Sequence, residues 1–281
     1  MKKNKTCICS KKKFVKIYSF YKKPISEINF NFIENKKYFR ELFKCKFCNH
    51  VISIHNMYDK NSYHGDYSES NYNKNILKTF LKINSLPASK SDNFWRIKNL
   101  EKFSKNWFSL QSINKNKIKI LDVGSGLCVF LNRIKKKLGW DCTALEIDKS
   151  LSKHARLNVG IKTLNINFLK MQDNKKYNII SFNKVIEHVQ NPILFIKSAK
   201  KKLKKNGFIY IEVPDAEGAA QDKNSYQREE FTIDHPHVFS STSLSVAITQ
   251  SNMKLIKLER VIEPSGKYTL RAFAVKNSQI D

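Results

Sequence analysis

The sequence predicts an α/β fold: a largely parallel sheet covered by helices on both faces, ending in an antiparallel hairpin and preceded by a small cysteine-bearing module. Three observations carry this reading. From Lys117 onward, short apolar runs of strand length alternate with helical stretches, the pattern of a parallel sheet with crossover helices. The last two strand-like runs follow each other with only a turn between them. Four of the six cysteines (Cys7, Cys9, Cys45 and Cys48) fall before residue 50.

Residues 1–66 hold those cysteines and short aromatic stretches such as Phe14-Val15-Lys16-Ile17-Tyr18. They are expected to form a small, strand-poor zinc-binding module. Residues 67–115 read as a helical linker or cap. There Phe94, Ile97, Leu100, Phe103, Trp107 and Leu110 recur every three or four residues, which marks one buried helix face. Residues 116–281 form the main domain. Strands are expected at 118–123, 141–147, 161–164, 177–182 and 208–213, with helices at 127–138, 149–158 and 192–203 between them. Pro192 suits a helix start, and Asn206-Gly207 closes that helix. A helix at 241–251 precedes strands at 255–261 and 268–275, and Glu263-Pro264-Ser265-Gly266 supplies the hairpin turn.

Composition bounds the function. The chain has 281 residues, 41% of them apolar, enough for a substantial core. No apolar run reaches the ~18 residues needed to cross a bilayer. No apolar stretch follows Met1-Lys2-Lys3, so the chain reads as cytoplasmic. The formal charge is +28, yet only seven of the 52 basic residues are Arg. A polyanionic partner is one reading. The composition of an AT-rich genome, with lysines scattered along the whole chain, is the other. Cys128 and Cys142 fall in the expected core as small apolar fillers.

The strongest local signal is Asp122-Val123-Gly124-Ser125-Gly126, a glycine turn between a buried strand and a helix. Glycine lets the backbone approach a ligand closely, and the helix N-terminus offers unpaired N–H groups. Such a turn at the carboxyl end of the first strand is where open α/β sheets bind ligands. By itself it could hold NAD, a phosphate or nothing. Glu146, at the end of the next strand, adds a carboxylate placed to accept hydrogen bonds from ribose hydroxyls.

With these residues in view, Leu121 to Gly126 and Leu145-Glu146-Ile147-Asp148 resemble the first two motifs of class I S-adenosylmethionine-dependent methyltransferases. Tyr177 to Ile180 before Glu187-His188-Val189, Leu203 to Gly207, and Glu212-Val213-Pro214 match the same family in order. The resemblance covers about residues 116–281. It implies a Rossmann-like sheet of seven strands, the last antiparallel. It also implies S-adenosylmethionine as cofactor, held by Asp122, Gly124, Ser125, Gly126, Glu146, Ile147 and Asn183. Glu146 would hold the ribose, Ile147 flank the adenine, and Asn183 sit beside the methionine portion. The third motif glycine is Cys128 here, and Asn165 stands where many relatives carry an acid.

Cys45-Lys46-Phe47-Cys48 is a knuckle whose natural partner is Cys7-Ile8-Cys9. Four thiolates would close a tetrahedral structural zinc site, with His50 or His55 as possible substitutes for one ligand. A Cys45-x-x-Cys48-Asn49-His50-Val51 stretch followed by Tyr58 and Tyr63, ahead of such a domain, resembles the zinc-containing methyltransferases of sugar and natural-product pathways. Asp234-His235-Pro236-His237-Val238-Phe239-Ser240 resembles their acceptor signature, although Thr232 replaces a tyrosine. That match puts His235 in the general-base position with Asp234 as its acidic neighbour. His188, after the fourth strand, is a further candidate facing the acceptor. The resemblance implies methylation of a sugar or nucleotide-sugar in a glycan or surface-polysaccharide pathway. An RNA methyltransferase with a zinc module is the alternative, and a non-catalytic binding protein is a third reading that the intact Gly124, Gly126 and Glu146 oppose. A small-molecule or glycan acceptor is the expected partner, with nucleic acid possible and no membrane span.

Overall fold

The computed structural model describes residues 6–25, 27, 36–57, 72, 75–110, 118–172 and 174–277. Tyr58 and Tyr63 lie outside the described residues. Eleven strands are described: β1 (Phe14–Phe20), β2 (Arg40–Cys45), β3 (Val51–His55), β4 (Lys119–Val123), β5 (Asp141–Leu145), β6 (Lys162–Leu164), β7 (Tyr177–Asn183), β8 (Leu203–Pro214), β9 (His237–Val238), β10 (Met253–Ile262) and β11 (Tyr268–Lys276). The helices are α1 (Ile76–Asn84), α2 (Asp92–Leu110), α3 (Val129–Leu138), α4 (Lys149–Leu157), α5 (Pro192–Lys202), α6 (Ala216–Ala220) and α7 (Ser241–Gln250), with short 3-10 turns between some of them.

The larger sheet has seven strands in the order β10-β11-β8-β7-β4-β5-β6. β4 pairs in parallel with β5 and β7, and β5 with β6. β11 runs against β8. The backbone N–H of Asp215, just past the end of β8, donates to the carbonyl of Tyr268 at the start of β11 at 3.1 Å. At the other end, the Lys276 ammonium donates to the carbonyl of Leu203 at 2.8 Å. The antiparallel closing strand is therefore present, and it is inserted between β8 and β10.

The smaller sheet, in the order β1-β2-β3-β9, departs from the strand-poor module expected at the N-terminus. β1, β2 and β3 form an antiparallel meander in which Phe14 faces Cys45 and Lys44 faces Val51. Its fourth strand comes from the polar stretch 214–240, with Val238 opposite Val51 and His237 opposite Ile52. The strand is two residues long and follows Pro236, so no sequence period marks it.

Two compact units divide the chain. One comprises Met1–Tyr63, Lys184–Lys197 and Ile211–Ala274; the other comprises His64–Asn183, Ser198–Tyr210 and Val275–Asp281. The first unit packs Phe20, Leu42, Val51, Ala216, Ala219, Phe231 and Val238 into one apolar cluster. Beside it lies the buried Arg40 guanidinium, 4.0 Å above the Phe20 ring and 3.3 Å from the Glu27 carboxylate. In the second unit, Phe80, Leu127, Val129 and Leu151 form a cluster, and Phe103 and Phe108 both pack on Phe208.

The helix at 92–110 corrects the expected stripe. Ile97 and Leu100 are buried, but Phe94 is exposed and Leu110 is 80% exposed, while Arg96, Ser104 and Phe108 are buried instead. Gly207 lies inside β8 rather than closing the preceding helix.

Candidate active site

In the unit containing β4, the glycine turn folds as its composition requires. Gly124 and Gly126 adopt φ of 69° and 51°, in the left-handed region where a side chain is strained. Cys128, in place of a third glycine, holds φ 62° as the N-cap of α3 and gives no side-chain cap. The N–H groups of Gly124 and Ser125 both point to the carbonyl of Leu145, at 2.8 and 3.3 Å, and so tie the turn to the end of β5.

Glu146 follows directly. Its carboxylate accepts the N–H of Gly126 at 2.8 Å and of Asp148 at 3.0 Å. Two backbone donors leave lone pairs for a ligand. Burial pushes its carboxyl above the ordinary range, against those hydrogen bonds. Asn165 donates to the carbonyls of Glu146 and Ile147, at 2.8 and 3.0 Å, so it braces this corner. Asp148 caps α4 by accepting the N–H groups of Ser150 and Leu151. The Ile147 side chain is left 44% exposed beside Glu146.

Asp122 is buried at the end of β4. Burial raises its carboxyl to about 7, although the Ser181 hydroxyl and the Asn183 amide donate to Oδ1 at 2.7 and 2.8 Å. The Asn183 amide oxygen and the Ser125 hydroxyl are buried without a hydrogen-bond partner in the protein, so both are open to a polar ligand. The seven residues expected to hold a cofactor thus lie around the ends of three adjacent parallel strands. Two contributors were not legible in the sequence. Tyr72 packs against the Phe80–Leu151 cluster and feels the charges of Glu146 and Asp148. Arg96 is buried, and its charge opposes the rise at Asp122. Neither sits in a motif.

In the other unit, His188, Asp234 and His235 come together. The His188 Nδ1 lies 3.0 Å from the Asp234 carbonyl and 3.4 Å from its carboxylate. The rings of His188 and His235 meet edge to face with centroids 4.6 Å apart. Burial lowers His235 to about 4 against the pull of Asp234. Burial alone would raise Asp234, but His235 and His188 outweigh it and hold the carboxyl down. Glu187 is fully buried in the same cluster, and burial raises it.

The four cysteines also converge in this unit. Their sulfurs lie within 4.8 Å of one another, Cys7 to Cys48 at 3.4 Å and Cys9 to Cys45 at 3.6 Å. A tetrahedral ion with Zn–S of about 2.3 Å places its sulfurs about 3.8 Å apart, so the set fits zinc. Each knuckle closes through a left-handed residue: Ser10 at φ 64° after Cys7-Ile8-Cys9, and Asn49 at φ 56° after Cys45-Lys46-Phe47-Cys48. The one-residue Cys7-x-Cys9 spacing is therefore no obstacle. His50 is not part of the set. It is buried, with Nε2 3.0 Å from His237 Nδ1 and Nδ1 3.2 Å from the Ser243 hydroxyl. His55 instead accepts the N–H of Met57. Cys128 and Cys142 are buried, as expected of core fillers.

A family model described as "Methyltransferase domain" matches residues 93–258. Among curated proteins, the chain is 33% identical over 112 residues to the ubiquinone biosynthesis O-methyltransferase of Pelagibacter ubique, covering 37% of this chain and 46% of that one. It is 26% identical over 152 residues to the Rickettsia bellii protein of the same name, covering 50% and 62%. The matches thus span about half of those relatives' length. Among solved structures, it superposes on the plantazolicin methyltransferase BpumL, in complex with a pentazolic desmethylPZN analog and SAH, with TM-score 0.56 at 18% identity, covering 75% of this chain and 94% of that one. Magnesium protoporphyrin IX methyltransferase from Synechocystis PCC 6803 with bound SAH gives TM-score 0.53 at 10% identity, covering 78% and 100%. At these identities the structural likenesses speak for the fold alone.

Proposed function

The chain belongs to the class I S-adenosylmethionine-dependent methyltransferases, and from that premise we propose that it transfers the methyl group of S-adenosylmethionine to a hydroxyl of a small-molecule acceptor. The observation that carries the donor half is Glu146: a buried carboxylate at the strand end, fixed by the N–H groups of Gly126 and Asp148. It would accept the ribose hydroxyls, with Ile147 against the adenine and Gly124 and Gly126 admitting the amino-acid portion. Asn183 and Ser125, each with a buried unpartnered atom, would meet the polar end.

Oxygen as the acceptor atom is supported by the curated relatives, which are O-methyltransferases by name. In the transfer, the acceptor O–H loses its proton, an O–CH3 bond forms as the S–CH3 bond breaks, and S-adenosylhomocysteine leaves. The cluster of His188, Asp234 and His235 serves proton removal, which is where such a displacement needs help. Nδ1 of His235 lies 2.9 Å from the Glu230 carbonyl, so Nδ1 carries the hydrogen and Nε2 presents a lone pair.

A sugar or nucleotide-sugar is the finer reading. Its support is the four-cysteine set together with the Asp234-His235 to Phe239-Ser240 signature. The cysteines would hold structural zinc, which supplies no reacting group and ties the segment ahead of β1 to the turn between β2 and β3.

Calorimetry with S-adenosylmethionine tests the donor half. Binding is expected, and Glu146→Ala should weaken it at least about tenfold, the worth of hydrogen bonds to a charged group. No binding, or a variant equal to the parent, would overturn the reading. Labelled cofactor incubated with extracts, read by mass spectrometry, then identifies the acceptor.

A further inference from the structure

Glu187, His188 and His235 each bring one ligand atom to within 4.8 Å of the others'. Glu187 is fully buried, and neither of its carboxylate oxygens has a hydrogen-bond partner. Asp234, next to both rings, also leaves Oδ1 buried and unpartnered. Buried carboxylates are costly unless paired or bound to a metal. Lys184 exerts its charge on Glu187, but its ammonium donates to the Thr269 hydroxyl at 2.6 Å.

The histidines are set in a matching way. The Nδ1 of His188 lies 3.0 Å from the carbonyl of Asp234, and that of His235 lies 2.9 Å from the carbonyl of Glu230. A carbonyl only accepts, so each Nδ1 carries the hydrogen and each Nε2 carries a lone pair. Metal-bound histidines are held in this manner, the far ring nitrogen donating to a carbonyl or carboxylate that fixes tautomer and orientation. An unpartnered carboxylate and two imidazoles with fixed tautomers therefore lie with one ligand atom each inside the span that a single ion can bridge.

We propose that Glu187, His188 and His235 form a site for a divalent first-row cation, separate from the cysteine set. One oxygen and two nitrogen donors suit Mn2+, Fe2+, Co2+ or Zn2+, whereas four thiolates select softer metals. The ion neutralises Glu187 and, with it, the charge left over at Asp234. Three protein ligands leave coordination positions open for an oxygen of the acceptor. A hydroxyl bound there ionises more easily. With the ion bound, such a hydroxyl would release its proton to water and His235 would serve as a ligand; without it, the Nε2 lone pair of His235 is left to take that proton. This last role rests on the methyl-transfer reading; binding of the ion does not.

The test uses the full chain loaded with zinc, without cofactor or acceptor. Mn2+ is titrated in, free Mn2+ is followed by electron paramagnetic resonance, and released zinc is measured in the same samples. One Mn2+ per chain is expected with no zinc released. Glu187→Gln should weaken that binding by at least about tenfold with unchanged circular dichroism, and His188→Gln does the same should the first variant fold poorly. Three results overturn the proposal: no Mn2+ bound below about 1 mM, zinc released in step with Mn2+ uptake, or folded variants that bind as the parent does. S-adenosylmethionine calorimetry on the same protein reports separately on the donor half, so failure of either idea is recognised on its own.

Discussion

A β-carbon at Gly207 would meet the carbonyl oxygens of Asn178 and Tyr177 at 2.7 and 3.0 Å. Backbone atoms cannot yield as a side chain would. Gly207→Ala is therefore expected to cost about 1–3 kcal/mol by overpacking, read as a lower midpoint in urea at unchanged slope. Asp122 makes a pH prediction. Its folded carboxyl is raised from 3.8 to about 7, so the folded chain binds the proton more tightly than the unfolded one. Stability must then fall as pH rises from about 4 through 7. Asp122→Asn keeps an oxygen for Ser181 and Asn183 and should flatten that decline, which thermal melts across the range would show. His235→Ala should retain affinity for S-adenosylmethionine and lose turnover; an unchanged rate would remove His235 from the chemistry, whether as base or as ligand.

At the scale of elements, α2 separates periodicity from burial. Phe108 is fully buried against Phe208, while Leu110, which shares the expected stripe, is 80% exposed. Phe108→Ala should cost about 3–5 kcal/mol, and Leu110→Ala less than about 0.5, both by chemical denaturation. The spacing of apolar residues located the helix but not its phase, because Phe, Trp and Leu crowd several faces and the deciding neighbour lies about a hundred residues away. The strands and helices from β4 to β11, except α6 and β9, were legible since each is an apolar run bounded by Gly, Pro or polar turns. The glycine turn and Glu146 were legible for the same reason, being local. Tyr72 and Arg96 were not, since only tertiary packing brings them in. The β3–β9 pairing was equally hidden: two residues, His237 and Val238, carry no period. Metal removal tests that pairing. A thiol-competing chelator should raise hydrogen exchange in β1–β3 and in residues 237–238 together, and leave β4–β7 protected.

For the whole molecule, the +28 charge is a source of self-repulsion. Raising NaCl from about 20 to 300 mM shortens the screening length to below about 10 Å, so the melting temperature should climb. A fall would mean that exposed pairs such as Glu101 with Lys105 and Lys137 outweigh the repulsion. No helix among the described residues is long and apolar enough to cross a membrane. The pairing of Val238 with Val51 also bears on how the chain can be cut. The segment 234–240 that holds His235 belongs to a sheet whose other three strands lie before residue 56. Trimming the protein to a minimal enzyme starting near residue 67 would bare the apolar faces of Phe231 and Val238 and leave a strand with no neighbour. Such a fragment should precipitate rather than turn over, and co-expression of the missing N-terminal piece in trans should return it to solution.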